Sequence, residues 1–329
     1  MVITFAPLEA KDYEIDLWAD LGRSCRAELA NMGYQNISST DPEELCTMYL
    51  NALFRRVQAK PRNFHRSTQL AVPLDHQSGF DLLKEKVERG TDLTPHLSGL
   101  LSKEDFNDPL LNAWKIHHFH LGVNPHKNNP SLVERTGPIL LALVEPDDFY
   151  AIDIIAHGKH GYPEVFYEQN LIEILHNNWP NMMNRYRLKN AKAAFPQPSN
   201  AEVKLVRDAG ITMIPQTADG SLYMPAAGFT SVGGTTKDTG AQIVFEVMKI
   251  TNAVKLLQKT IVEKMVSLEL AFDKNGGRRP YNVILTNFLN GMITAREESS
   301  KVGMRISSKP APPGEKWIDI WSEHQALPL

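Results

Sequence analysis

The sequence predicts an α+β protein: a small antiparallel sheet with flanking helices, and a C-terminal region containing one long helix. Three observations carry this. Strand-length apolar runs cluster between residues 114 and 157, and helical patterns precede them. From Thr239 to Asp273, residues Ile243, Val247, Ile250, Val254, Leu257, Ile261, Met265 and Leu268 recur at steps of three and four, which is the spacing of one helical stripe.

Residues 1–60 read as mostly helical. Asp41-Pro42-Glu43-Glu44 is a helix start, with a capping carboxylate, a proline whose fixed φ suits the first turn, and acids against the helix dipole. Leu45, Met48, Tyr49, Ala52, Leu53 and Val57 follow at helical spacing, and Pro61 ends the pattern. Gln69–Val72 is a short strand candidate closed by Pro73, and Phe80 to Val87 a helix ended by Gly90. Thr91 to Pro109 reads as turns. Ile116–Leu121, Pro138–Val144 and Phe149–His157 are strand candidates, and the short link Glu145-Pro-Asp-Asp148 makes the last two an antiparallel hairpin. The unbroken apolar middle run implies a strand covered on both faces. Residues 166–177 read as a helix ending at Trp179-Pro180. The Pro/Ser/Asn-rich stretch from Phe195 to Asn200 is the expected boundary. The parts are then 1–110 (N-terminal, helical), 111–195 (histidine-bearing sheet and helix) and 200–329 (C-terminal α+β region, for oligomerisation or partner binding). Gly210 to Gly234 reads as short strands and turns, and Trp317 and Trp321 are candidates to dock the tail.

Composition narrows the function classes. With 35 Lys+Arg against 38 Asp+Glu, the net charge is −3, so nucleic acid would be recognised by local patches rather than a global basic field. Cys25 and Cys46 form no CxxC pair or zinc spacing and read as buried thiols. Without a leader-like N-terminus or a span-length apolar run, the expectation is a cytoplasmic protein with no membrane partner. Gly228–Thr236 mimics a phosphate loop, but Gly234 stands where that motif needs lysine.

Seven of the eleven histidines lie between Trp114 and Pro180. Alternation along Ile116-His117-His118-Phe119-His120-Leu121 puts His118 and His120 on one face, with alpha carbons roughly 6–7 Å apart. His157 and Lys159 leave the third strand, and Arg135 precedes the middle one. Two chemistries fit. In the first, His118 and His120 act as acid and base on a phosphodiester, assisted by His157, while Arg135 and Lys159 stabilise phosphate charge. That chemistry has no cofactor. In the second, His118, His120 and His157 ligate Zn or Fe in a hydrolase or oxygenase. A third class is a non-enzymatic binding or regulatory protein with core histidines. Two basic segments favour a phosphate-rich partner: Arg55, Arg56, Lys60, Arg62 and Arg66 on one side, and Arg185, Arg187 and Lys189 on the other, both interleaved with aromatics.

The order of histidine-bearing strand, Arg135, apolar strand, Tyr150-bearing strand ending in His157-Gly158-Lys159, then helix resembles the RelE/HigB-like ribonuclease toxins over about residues 110–180. The resemblance implies metal-free RNA cleavage on a compact antiparallel sheet, with Tyr150, His157, Lys159 and Arg135 at the site. The triple histidine and the long flanking segments are not typical of those toxins. The leading expectation is a metal-independent endoribonuclease, a toxin or phage-defence effector. Its partners would be RNA, an antitoxin or other protein, and a second copy of the chain through the 239–273 helix.

Overall fold

The computed structural model describes residues 9–103, 108–156, 170–193, 196–208, 214–226, 240–306 and 317–319. His157, Lys159, His160, the Gly228–Thr236 segment and Trp321 lie outside them. In chain order the elements are β1 (Tyr13–Ile15), α1 (Leu17–Asn31), α2 (Pro42–Phe54), β2 (Asn63–Arg66), α3 (Gln77–Arg89), α4 (Pro109–Trp114), β3 (Ile116–His120), β4 (Pro125–His126), β5 (Asn129–Val133), β6 (Ile139–Val144), β7 (Asp148–Ile155), α5 (Asn170–Asn178), α6 (Pro180–Met183), β8 (Arg187–Lys192), α7 (Asn200–Asp208), β9 (Ser221–Tyr223), α8 (Ala241–Glu263), α9 (Met265–Lys274), β10 (Tyr281–Asn287), β11 (Ile293–Glu297), β12 (Gly303–Ile306) and β13 (Trp317–Asp319). The α+β class is as expected. No described helix is long and apolar enough to cross a membrane.

Two compact units divide the chain: Met1–Leu50 with Phe245–Leu329, and Asn51–Val244. This division differs from the three consecutive segments expected. The reason is long-range pairing: β1 runs parallel to β10, so the N-terminal strand belongs to the C-terminal sheet, ordered β1-β10-β11-β12-β13. In this unit α1 buries Leu17, Leu21, Cys25 and Leu29, and the Asp20 carboxylate accepts from the Leu285 amide at 2.9 Å. Both cysteines are buried and free, and the Cys25 thiol, hydrogen-bonded to Cys46, has its pKa raised. All eight stripe residues from Ile243 to Leu268 are buried within the chain. The long helix breaks at Lys264 into α8 and α9. A second copy binding this helix would therefore meet its other side, where Phe245, Met248, Val262, Val266 and Leu270 are exposed.

The Asn51–Val244 unit is built on a four-stranded sheet ordered β2-β7-β6-β3. The β6–β7 hairpin turns at Glu145–Asp147, and β3 pairs antiparallel with β6. The expectation was wholly antiparallel, but β2 adds parallel to β7. Gln69–Val72 is not a strand; Asn63–Arg66 takes that place.

Both sheet faces are covered, which is why β6 is apolar throughout. On one face Ile116, Ile139, Leu141, Leu143, Tyr150 and Ile152 pack with α5 and α6 through Leu171, Leu175 and Met183. On the other, Phe119, Leu140, Ala142 and Phe149 pack with Phe80, Leu83 and Val87 of α3. Helix α3 sits so close that a Cβ on Gly79 would lie 1.7 Å from the Leu121 carbonyl oxygen; only glycine fits. Gly90 closes α3 at φ 72°, a left-handed value glycine adopts without strain.

Candidate functional site

The strand histidines sit as alternation requires. His118 and His120 share a face, with ring centroids 6.5 Å apart, while His117 points with Phe119 to the other. Their environment differs from a wet pocket: His117, His118 and His120 are 8%, 6% and 4% exposed. His118 Nδ1 lies 3.2 Å from the carboxylate of Asp108. That carboxylate also caps α4 by accepting from the Leu110 and Leu111 amides, so one buried anion organises a helix start and faces an imidazole. Burial pushes the His117 pKa from 6.5 down to about 4, outweighing the pull of Asp108.

Arg135 donates through its Nη2 to the Leu97 carbonyl at 3.0 Å. Nearby lies a histidine the sequence reading passed over. His96 is fully buried; its Nδ1–H donates to the His120 carbonyl at 2.8 Å, and Nε2 is 3.1 Å from Lys86 Nζ. Burial takes its pKa down to about 4. Among the described residues, no group of three or more His, Cys, Asp or Glu is placed to hold a metal ion. The third candidate ligand, His157, and the candidate Lys159 lie outside the described residues.

The basic segments separate into structural and surface members. Arg55 and Arg62 are buried, 4% and 8% exposed, which corrects their reading as a nucleic-acid surface. Arg55 donates to the Asn51 and Lys103 carbonyls. Arg62 donates to those of Glu145, Gln58 and Lys60, and Arg56 to that of Ala52. Each guanidinium satisfies backbone acceptors where α2 ends and the sheet begins. Arg66 is exposed but bonds the Leu70 carbonyl and lies over the Phe80 ring. Lys60 pairs with Asp147 at 2.6 Å. Arg187 and Lys189 are exposed on β8, with Arg187 bonding Ser221.

What the fold does bring together is a half-open cluster at the β6–β7 turn. His65 on β2 is opposite Tyr150 on β7, and the rings stack with centroids 4.8 Å apart and planes 17° apart. His65 Nε2 lies 2.8 Å from Asp148 Oδ1, which also accepts from Asn63. The His65 and Asp148 side chains are 38% and 32% exposed. The Asp148 pKa is lowered, first by the His65 hydrogen bond and further by the charge of Arg185. Trp179 meets the Tyr150 ring edge-on at 5.0 Å. Tyr186 donates to Glu145 at 2.7 Å, with the Arg185 guanidinium over its ring and 3.4 Å from the same carboxylate. Burial, then Glu145, raises the Tyr186 pKa. Basic segments more than a hundred residues apart in sequence thus meet at one turn.

With Nε2–H donated to Asp148, His65 Nδ1 carries the lone pair that can take a proton; this tautomer follows from the hydrogen-bond network. The arrangement offers one imidazole oriented by a carboxylate, an adjacent guanidinium and several aromatic rings. Sequence reasoning passed over His65, which lies inside the basic run from Arg55 to Arg66. The missed signal was alternation, which sets His65 and Asn63 on one side of the strand and Phe64 and Arg66 on the other.

Compared with known proteins, the chain matches no family model, no curated protein and no solved structure. The likeness to RelE/HigB-like toxins therefore rests on the residue pattern alone.

Proposed function

We propose that the Asn51–Val244 unit is a metal-independent endoribonuclease whose working histidine is His65 rather than the strand pair His118 and His120. The observation that carries this reading is the half-exposed His65–Asp148 pair, stacked on Tyr150 beside Arg185. His65 Nδ1 takes the proton of a ribose 2′-hydroxyl, whose oxygen attacks the adjacent phosphorus; the P–O5′ bond breaks, the 5′-oxygen takes a proton from solvent, and a 2′,3′-cyclic phosphate remains. Asp148 holds the ring and stabilises the imidazolium that forms. Arg185 offsets charge growing on the phosphate oxygens. The exposed cations Arg187 and Lys189 on β8 extend the surface along which a phosphate backbone runs, and the part-exposed Trp179 ring supplies a stacking face. A role as toxin or phage-defence effector in the cytoplasm, with an antitoxin partner, is the biological setting this activity fits.

The test is cleavage of end-labelled single-stranded RNA in the presence of EDTA. Expected are cleavage by wild type, loss in His65→Ala with RNA binding retained, and a lower kcat in Asp148→Asn. Cleavage at the wild-type rate by His65→Ala overturns the assignment; no cleavage by wild type overturns the activity.

One observation favours a second reading for the β3 histidines. Their burial, with the Asp108 contact at His118, supports a structural role in a sealed layer. In that reading His120→Ala alters stability and leaves catalysis to His65.

A further inference from the structure

On the far edge of the same sheet, β3 ends at His120, and His96, Lys86 and Arg135 gather around that end. The sheet order sets β6 and β7 between this edge and the strand that carries His65. Three facts distinguish the cluster from ordinary surface charge. First, Lys86 Nζ lies 3.1 Å from the Nε2 of His96, a residue with no exposure. Because His96 Nδ1–H is given to the His120 carbonyl, Nε2 is an acceptor, and the ring is neutral and adds no third charge. Second, Arg135 is fixed through Nη2 to the Leu97 carbonyl, while its buried Nη1 has no hydrogen-bond partner. Third, among the described residues neither Lys86 nor Arg135 is in an ion pair. Glu134, beside Arg135 in sequence, is hydrogen-bonded to Asn124 instead. Burial is the first cause of the low His96 pKa, and Lys86 and Arg135 add to it against the His120 hydrogen bond and Asp92.

Two half-buried cations with no counter-ion among the described residues, one showing an unsatisfied buried donor, are an arrangement that an anion completes. Guanidinium donors in a fixed fork suit a tetrahedral oxyanion, and an ammonium supplies point charge beside it. We propose that Lys86 and Arg135, braced by His96 and the Leu97 carbonyl, form a binding site for a phosphate group. The site is separate from the His65 cluster and stands whether or not the chain cleaves RNA. The phosphate comes either as the free ion or as a terminal monoester on a nucleotide.

The experiment is calorimetric titration of the full chain in two arms, one with inorganic phosphate and one with adenosine 5′-monophosphate against adenosine. Saturable binding in either arm is expected, weakened at least about tenfold in both Arg135→Gln and Lys86→Met, since each removes a charge-assisted hydrogen bond. Lys249→Gln, an exposed lysine elsewhere, should bind as wild type. Saturation by the monophosphate alone assigns the site to a nucleotide end; saturation by inorganic phosphate assigns it to the free ion as well. A second readout guards against a misfolded variant: in wild type, phosphate should shift the ring-nitrogen resonances of His96, identified by their absence in His96→Gln. Binding that fails to saturate in both arms, affinity unchanged in both cation variants, or unmoved His96 resonances would overturn the proposal.

Discussion

Lowering the pH from 7 to 5 should destabilise the Asn51–Val244 unit through two buried histidines, and the size of the effect follows from their surroundings. His96 and His117 are nearly or wholly inaccessible, and burial lowers both pKa values from 6.5 to about 4. The unfolded chain therefore binds protons the folded unit refuses, so stability falls as pH drops below the ordinary histidine value and stops falling near pH 4. Linkage over that interval gives about 2 kcal/mol per histidine between pH 7 and pH 5, or roughly 4 kcal/mol for the pair. Carboxylates held below their ordinary range, such as Asp148, titrate lower and contribute little in this window. At roughly 2–4 °C per kcal/mol for a unit of this size, the melting transition should fall by about 10 °C. Calorimetry at a series of pH values measures it, and His117→Leu should remove about half of the pH dependence whatever its own Tm. A transition flat between pH 7 and pH 5, or a slope unchanged in His117→Leu, would show that these two rings do not govern the acid sensitivity.

Other consequences are local. Gly79→Ala should cost about 1–3 kcal/mol or more in urea unfolding, because its Cβ would meet backbone and one of the two elements has to move. Asp108→Ala should cost about 1–2 kcal/mol through the lost α4 cap alone, and Asp108→Asn, which keeps an accepting oxygen, should restore part of that. A loss smaller for Ala than for Asn would contradict the capping role.

Much of the fold was legible where one residue pattern decides one outcome. The Asp41-Pro42 start appears as written, with Asp41 accepting from the Glu43 and Glu44 amides. The long-helix stripe and the β6–β7 hairpin were equally local, as was the shared face of His118 and His120. The failures have a common physical form. Strand β2 is short and polar, and its partner β7 lies far along the chain, so Asn63–Arg66 read as a charge run. Pairing of β1 with β10 is likewise decided by distant contacts rather than local propensity. Burial of Arg55 and Arg62 depends on which carbonyls are left over where helix meets sheet, and charge patterning does not encode that. His96 stood outside the dense histidine segment, and only the fold brings it against the end of β3.

Under the proposed function, proton transfer belongs to the half-exposed His65 and not to the buried strand histidines. The most direct measurement is the single-turnover rate of RNA cleavage in EDTA for wild type, His65→Ala and His120→Ala, each checked for folding by circular dichroism. Loss of cleavage in His65→Ala and retention in His120→Ala are expected; the reverse pattern, with cleavage surviving loss of His65 and vanishing with His120, would put the proton transfer on β3 instead.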